Sequence, residues 1–491
     1  MQRPSPSPAE DVAPSPRSSS DQALRPRVRH GVGRLRPAAL ALALGAVLVP
    51  PLVVLPGAAQ AQDATAREAA LEARVAELER MVQQLVEQQS TQQQSAQQPP
   101  APAAPAQTTQ IQTTPIVPNA ASGTRFSYGG FVKLDAMVTD TSDGEIPDGS
   151  VGRLFYVPSA IPVGAPGADE GTDTDMGAQF SRFWFGADST LDSGDKLKGY
   201  LEFDLFGGGS INGNEVATNT YGVTVRHAYV SWTRPNGASL IAGETWSNFQ
   251  DVAALPDAID FVGPTEGTVF VRQAQLRYSK GPWSFSIENP ETTITPYRGT
   301  GARISSDDNL MPDITARWTR KGDWGHVSMA VMAREFAYEN PAAGIDDTAF
   351  GGAFSASGKW NLGRNDDLRF MATWGQGIGR YLGLGFASDT VLDAGGALEP
   401  IDGYGAYLAW RHAFTPKLRG NLFYSMAHYD NEVALTGLNV NERAQSMHAN
   451  LIYSPVPKLE FGAELIYGQR ALESEADGDL RRLHTHVKYS F

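Results

Sequence analysis

The sequence predicts an all-β chain, a transmembrane antiparallel β-barrel of about 16 strands preceded by a short N-terminal coiled-coil helix. Three observations carry this. The last segment, Leu483 to Phe491, puts Leu483, Thr485, Val487, Tyr489 and Phe491 on one row and His484, His486, Lys488 and Ser490 on the other. Side chains alternate across a strand, so one row suits hydrocarbon and the other water. Beyond residue 61 no stretch approaches the ~18 consecutive apolar residues of a spanning helix. A membrane crossing must then be a closed barrel, the other structure that pairs every backbone group inside lipid. From Arg125 onward, alternating segments of about ten residues recur between turn signals.

At the amino end, Arg25, Arg27, Arg29, Arg34 and Arg36 precede an apolar run from Ala38 to Leu55 and a small-x-small site, Ala59-Gln60-Ala61. Residues 1–61 therefore read as an export signal cleaved after Ala61, with an N-terminal extension that points to a different start codon. Pro50, Pro51 and Pro56 argue against an uncleaved helical anchor. Residues 62–98 carry Leu71, Val75, Leu78, Val82 and Leu85 at alternating spacings of four and three, a heptad seam. So short a seam is marginal alone and implies an oligomer, of a stoichiometry the seam leaves open; a single solvated amphipathic helix is the alternative. Residues 99–123, rich in Pro, Gln and Thr, read as a stiff linker.

Residues 124–491 form the barrel region. Val132 and Leu134 oppose Lys133 and Asp135; Phe183 and Phe185 oppose Arg182 and Trp184; Leu201 and Phe203 oppose Glu202 and Asp204; Ile314 and Trp318 oppose Asp313 and Arg317. Turns are expected at Ser193-Gly194-Asp195, Pro235-Asn236-Gly237, Lys321-Gly322-Asp323, Arg364-Asn365-Asp366 and Pro455-Val456-Pro457. A β-sandwich shares this period, and the export signal and aromatic strand ends favour the barrel.

The chain has 491 residues, no cysteine and a formal charge of -14. No thiol chemistry is available, and the acidic balance disfavours nucleic acid as a partner. The polar rows nevertheless carry cations: Lys133, Arg182, Arg226, Arg277, Arg317, Arg334, Arg369, Arg411 and Lys488. A basic lumen in a low-dielectric wall concentrates small anions, and arginine suits carboxylates. Alternatively these cations pair with Glu202, Asp204, Glu288, Asp313, Glu460 and Glu464 across strands. The acidic stretches from Asp140 to Glu145 and Asp169 to Asp175 read as solvated loops. Alternation fails between Gly243 and Arg272, where a loop holding Glu244, Trp246, Asp260 and Phe261 folds inward as a constriction or stays outside.

The motifs Gly243-Glu244-Thr245-Trp246, Asp260-Phe261 with Gly263-Pro264, Phe270-Val271-Arg272-Gln273, Glu288-Asn289-Pro290-Glu291-Thr292, Gly375-Gln376-Gly377-Ile378-Gly379-Arg380-Tyr381 and Tyr467-Gly468-Gln469-Arg470, in this order, resemble the DcaP-like family of bacterial outer-membrane porins. The resemblance implies a homotrimer of 16-stranded barrels with a periplasmic coiled coil, passing dicarboxylates and related anions by diffusion. It supports Arg182, Arg272, Arg277, Arg334 and Arg380 as pore or constriction residues. The last strand, with Phe491, resembles the signal read by the barrel assembly machinery, with outer-membrane lipid as the other partner. No catalytic or phosphate-loop motif occurs, and neither a cofactor nor a metal is expected; His484 and His486 lack an obvious third ligand. Rival readings are a phosphate or sugar channel and a structural anchor.

Overall fold

The computed structural model describes residues 123–164, 171–207 and 222–491. The expected export signal, coiled coil and linker lie outside them, except for the last residue of the linker. Alternating sequence becomes strand wherever one face meets apolar surroundings and the other polar ones. In chain order the strands are β1 (Arg125–Thr141), β2 (Gly171–Gly177), β3 (Arg182–Thr190), β4 (Lys196–Asp204), β5 (Thr224–Thr233), β6 (Ser239–Trp246), β7 (Arg272–Lys280) and β8 (Trp283–Glu288). After two short strands, β9 (Thr292–Thr295) and β10 (Ile304–Ser306), come β11 (Asp313–Gly322), β12 (Gly325–Asn340), β13 (Ile345–Leu362) and β14 (Asp366–Gln376). Two more short strands, β15 (Thr390–Leu392) and β16 (Leu398–Pro400), lead to β17 (Asp402–Thr415), β18 (Leu418–Asp430), β19 (Asn441–Val456), β20 (Leu459–Leu472) and β21 (Asp477–Ser490).

Each long strand pairs antiparallel with its neighbour, and β21 returns to pair with β1 from Phe131↔Ser490 to Thr141↔Leu480. The sheet is closed and has no free edge. It holds 17 strands, but β2 and β3 share one stave, pairing with the upper and lower halves of β1, so the wall has 16. Phe491 completes the seam by exchanging both backbone hydrogen bonds with Gly130.

Short turns at 191–195, 234–238, 281–282, 323–324, 363–365, 416–417 and 457–458 join strands at one end, while the long connections gather at the other. That asymmetry is typical of outer-membrane barrels. The outward rows are apolar, with exposed Leu134, Leu201, Leu276, Ile287, Val331, Leu408, Leu451 and Leu465. Exposed aromatics cluster toward the turn end (Trp232, Trp283, Trp360, Trp410, Tyr453, Tyr489) and toward the loop end (Phe350, Trp374, Tyr404, Tyr467), as side chains at two membrane interfaces do. The core sits inside the ring. Phe249, Val269, Ile378, Tyr381, Leu382 and Phe386, from segments 247–271 and 377–401, pack on Met332, Met371, Tyr407 and Tyr429 of the wall.

Two local expectations are corrected. The acidic stretch ending at Asp175 is not simply a solvated loop: Gly171–Gly177 is β2, and Arg153 binds both Asp173 at 2.7 Å and Asp175 at 2.9 Å. The threonines that alternate with these aspartates suit a paired edge, and one arginine neutralises two carboxylates on the same row. The turn expected at Pro455-Val456-Pro457 falls later, because Val456 still pairs with Leu459.

Candidate functional site

Segment 247–271 leaves the wall at β6, runs inside the barrel and rejoins it at β7. Much of its backbone is buried, and buried backbone groups need partners. The lumen cations supply many of them. Lys133 Nζ donates to the Ile259 carbonyl at 2.8 Å, Arg317 Nη1 to that of Gln250 at 2.6 Å and Arg369 to that of Leu255, while Arg277 holds the Trp246 carbonyl at the end of β6, where the segment departs. On the other side, Glu288 accepts from Asn248 N–H and Glu464 from Ile259 N–H. Gly267 lies against β17, where a Cβ would sit 2.3 Å from the backbone of Ala406. Only glycine permits that approach.

Two carboxylates in the segment are fully engaged. Burial alone would raise the Asp260 carboxyl, but the hydrogen bond and charge of His484, helped by the Tyr156 N–H, hold it down at about 2. Burial pushes the Glu266 carboxyl up, and it accepts from the Tyr156 hydroxyl and from Ser446 Oγ. Through Tyr156, the segment is joined to the β1–β2 connection.

The expected site residues separate into three groups. Arg182, Arg226 and Arg272 stand within coulombic range of one another around Trp246 and Phe261. Arg226 binds Glu202 at 3.0 Å and Asp204 at 2.8 Å, while Arg182 reaches Glu202 only at 3.5 Å. Arg272 lies 5.0 Å over the Trp246 ring and has no carboxylate in salt-bridge range among the described residues. The second group, Arg277, Arg317, Arg369 and Lys133, clamps the inner segment; of these, Arg277 and Arg317 have no ion pair among the described residues. Arg411 stands nearby, 3.5 Å from Asp367 and 3.7 Å from Asp257.

The third group corrects an expectation. Arg334 does not line an open path: its side chain is 0% exposed. It binds Asp313 at 3.2 Å, Asp389 at 2.8 Å and the carbonyls of Gly377 and Glu291 at 2.6 Å. Two aspartates from different parts of the chain surround it, so the charge is spent on holding segments 289–312 and 377–401 to the wall. Arg380 sits beside this cluster, donating to Asp313 at 3.2 Å and to Gln273 Oε1, and remains partly exposed. Glu244 also stands apart, sharing its row with the exposed Ala228 and Ala274.

Strict alternation places Arg226 and His227 on opposite faces, yet both are buried. The β4–β5 register shifts between Glu202 and Phe203, and this bulge turns both side chains inward. Sequence reasoning missed His227, and also Arg419, which binds Asp257 at 2.5 Å and Glu460 at 2.7 Å. It missed segment 377–401 as a second inner connection; the signal was there, since alternation also lapses between Gly377 and Pro400. Four buried guanidinium donors, Arg182 Nε, Arg272 Nη1, Arg317 Nε and Arg482 Nη1, have no hydrogen-bond acceptor among the described residues.

A closed 16-strand barrel with an apolar belt, a charged interior and segments folded into its lumen defines an outer-membrane channel of the porin type. The chain belongs to the DcaP outer membrane protein family, whose model matches residues 57–491. Among solved structures it resembles the crystal structure of the outer membrane channel DcaP of Acinetobacter baumannii, with a TM-score of 0.61 and 23% identity over 76% of this chain and 99% of that one. Similarity extends to OmpT of Vibrio cholerae (TM-score 0.46, 12% identity, 76% and 99% covered) and to OmpF of Salmonella typhi in complex with daunomycin (TM-score 0.48, 12% identity, 75% and 98% covered). No curated protein matches the chain.

Proposed function

We propose that this channel passes small anionic solutes, dicarboxylates foremost, by diffusion through the outer membrane. The observation that carries the reading is the local excess of cations: Arg182, Arg226 and Arg272 stand together with only Glu202 and Asp204 in salt-bridge range, and Arg277 and Arg317 have no ion pair among the described residues. Guanidiniums in excess of their carboxylates favour an anion beside them, and a passing carboxylate meets their exposed donors with charge-assisted bonds. Several such stations in series bind weakly enough to release. Segment 247–271 narrows the path beside them, with its Phe261 and the Trp246 of β6 shaping the constriction, while the sequence-expected Asp260 is buried and holds the segment to Tyr156 and His484 instead of facing the path. In this reading the chain works as a homotrimer, residues 1–61 direct export, residues 62–98 form a periplasmic coiled coil, and the Phe491 strand addresses the barrel assembly machinery.

One observation favours a second reading, a sugar channel. Trp184, Tyr200 and Tyr229 form a run of inward rings with centroids 5.9 and 5.4 Å apart, and sugars slide on such surfaces. Reconstituted protein in planar bilayers separates the two. Under a salt gradient the reversal potential is expected to show anion preference, and millimolar succinate to block the current. The double variant Arg182→Gln/Arg272→Gln is expected to lower the anion-to-cation permeability ratio about threefold. A parent that ignores succinate but is blocked by maltose would reverse the assignment, and a silent bilayer would leave only the anchor.

A further inference from the structure

A second basic cavity lies at the long-loop end, away from the constriction. It has a volume of about 240 Å³ and opens between segments 289–312, 377–401 and 431–440, with β20 as its back wall. Its lining includes Arg298, Arg303 and Arg470 and no aspartate or glutamate, in a chain whose formal charge is -14. Arg298 and Arg303 are exposed at the rim and Arg470 is half-buried behind them, so three cations with no carboxylate in the lining converge on one concave surface open to solvent.

Each arginine is held with donors to spare. Arg470, on the inward row of β20, gives Nε to Asn441 Oδ1 at 2.8 Å and Nη1 to the carbonyls of Ser159 and Ile161 at 2.9 and 2.8 Å, leaving Nη2 uncommitted among the described residues. Arg303 gives Nη1 to the Gly385 carbonyl at 2.7 Å. Arg298 lies over the Tyr297 ring at 5.3 Å. Its backbone has φ 54°, and Gly437 backs onto it so closely that a Cβ there would meet the Arg298 carbonyl at 2.9 Å. A non-glycine residue in the left-handed region is kept there by its surroundings. Two carboxylates beside the lining are engaged: Glu473 accepts from the lining residue Asn431 at 2.8 Å, and Asp389, next to the lining residue Ser388, accepts from Arg334 and Thr293.

We infer that this cavity is a mouth station for small organic dianions, which captures a solute from the long-loop side before it reaches Arg182 and Arg272. The inference rests on the anion-channel reading above. Guanidinium forks bind carboxylate and phosphate oxygens in pairs, and a cavity of this size suits a molecule with two acidic groups. Arg470 projects from the inward row, so the occupant is a free solute rather than the phosphate of a membrane lipid. Focused positive potential at an entrance raises the capture rate on that side alone.

The test uses the full-length protein, inserted with known orientation in neutral-lipid bilayers, and counts succinate block events with succinate on either side. In the parent the on-rate from the long-loop side is expected to exceed that from the turn side by about threefold. In Arg298→Gln/Arg303→Gln it should fall to the turn-side value, with KCl conductance and the turn-side rate unchanged. Equal rates in the parent, or an asymmetry that survives in the variant, would overturn the mouth station while leaving an anion-selective channel. A parent with no anion preference would overturn both. Adding phosphate-bearing lipid to the long-loop leaflet should leave the capture rate unaltered; a fall means lipid occupies the cavity and the solute assignment is wrong.

Discussion

Replacing Arg334 by alanine is expected to destabilise the folded barrel by about 3–5 kcal/mol, the cost of leaving buried carboxylates without their cation. Asp313 and Asp389 are both 0% exposed, and Arg334 bridges them while also satisfying two carbonyls. Arg380 still reaches Asp313, so the loss concentrates on Asp389 and on the contact between segments 289–312 and 377–401. Arg334→Lys should fall between parent and alanine, because one ammonium cannot span acceptors that a planar guanidinium reaches in several directions. Unfolding followed by heat-modifiable gel mobility in detergent measures the order. Identical unfolding of all three proteins would show that the cluster does not hold the barrel together, and that Arg334 is free to serve the pore.

The second large effect concerns the channel rather than the fold. Gly267→Val is expected to raise single-channel conductance about twofold and to weaken succinate block, by prising segment 247–271 from the wall. The valine Cβ would lie 2.3 Å from both the carbonyl carbon and the oxygen of Ala406, and backbone on β17 cannot give way within a paired sheet. The segment must move instead, which breaks the Gly267 N–H bond to Ser425 Oγ at 2.9 Å. The strand hydrogen bonds of the wall are untouched, so the variant should still assemble and unfold close to the parent. An assembled variant with unaltered conductance would mean that the segment does not bound the conducting path.

These two expectations have different standing in the sequence. Alternation around Ile314 and Leu134 made the strands legible, because in a regular strand the face of a side chain follows from its place in the two-residue repeat. The lapse between Gly243 and Arg272 marked an unusual connection for the same reason. Arg334 misled, since its row position is like that of Arg317 and nothing local distinguishes them. What separates them is Asp389, 55 positions later, carried in by a segment whose path no periodicity describes. Arg226 and His227 misled differently: a bulge is a property of a strand pair, and one strand's pattern does not contain it.

By itself, the sequence determined that the strands have an oily and a wet face, that the barrel is the way such a chain crosses a membrane, and that its wet face is rich in cations. Only the tertiary structure decided how those cations are spent: on buried aspartates, as at Arg334; on the carbonyls of the inner segment, as at Arg317; or left with a bare donor, as at Arg272. Face is set by the two-residue repeat of the strand, whereas charge pairing is set by which distant backbone and carboxylate groups the folded connections bring within hydrogen-bond reach.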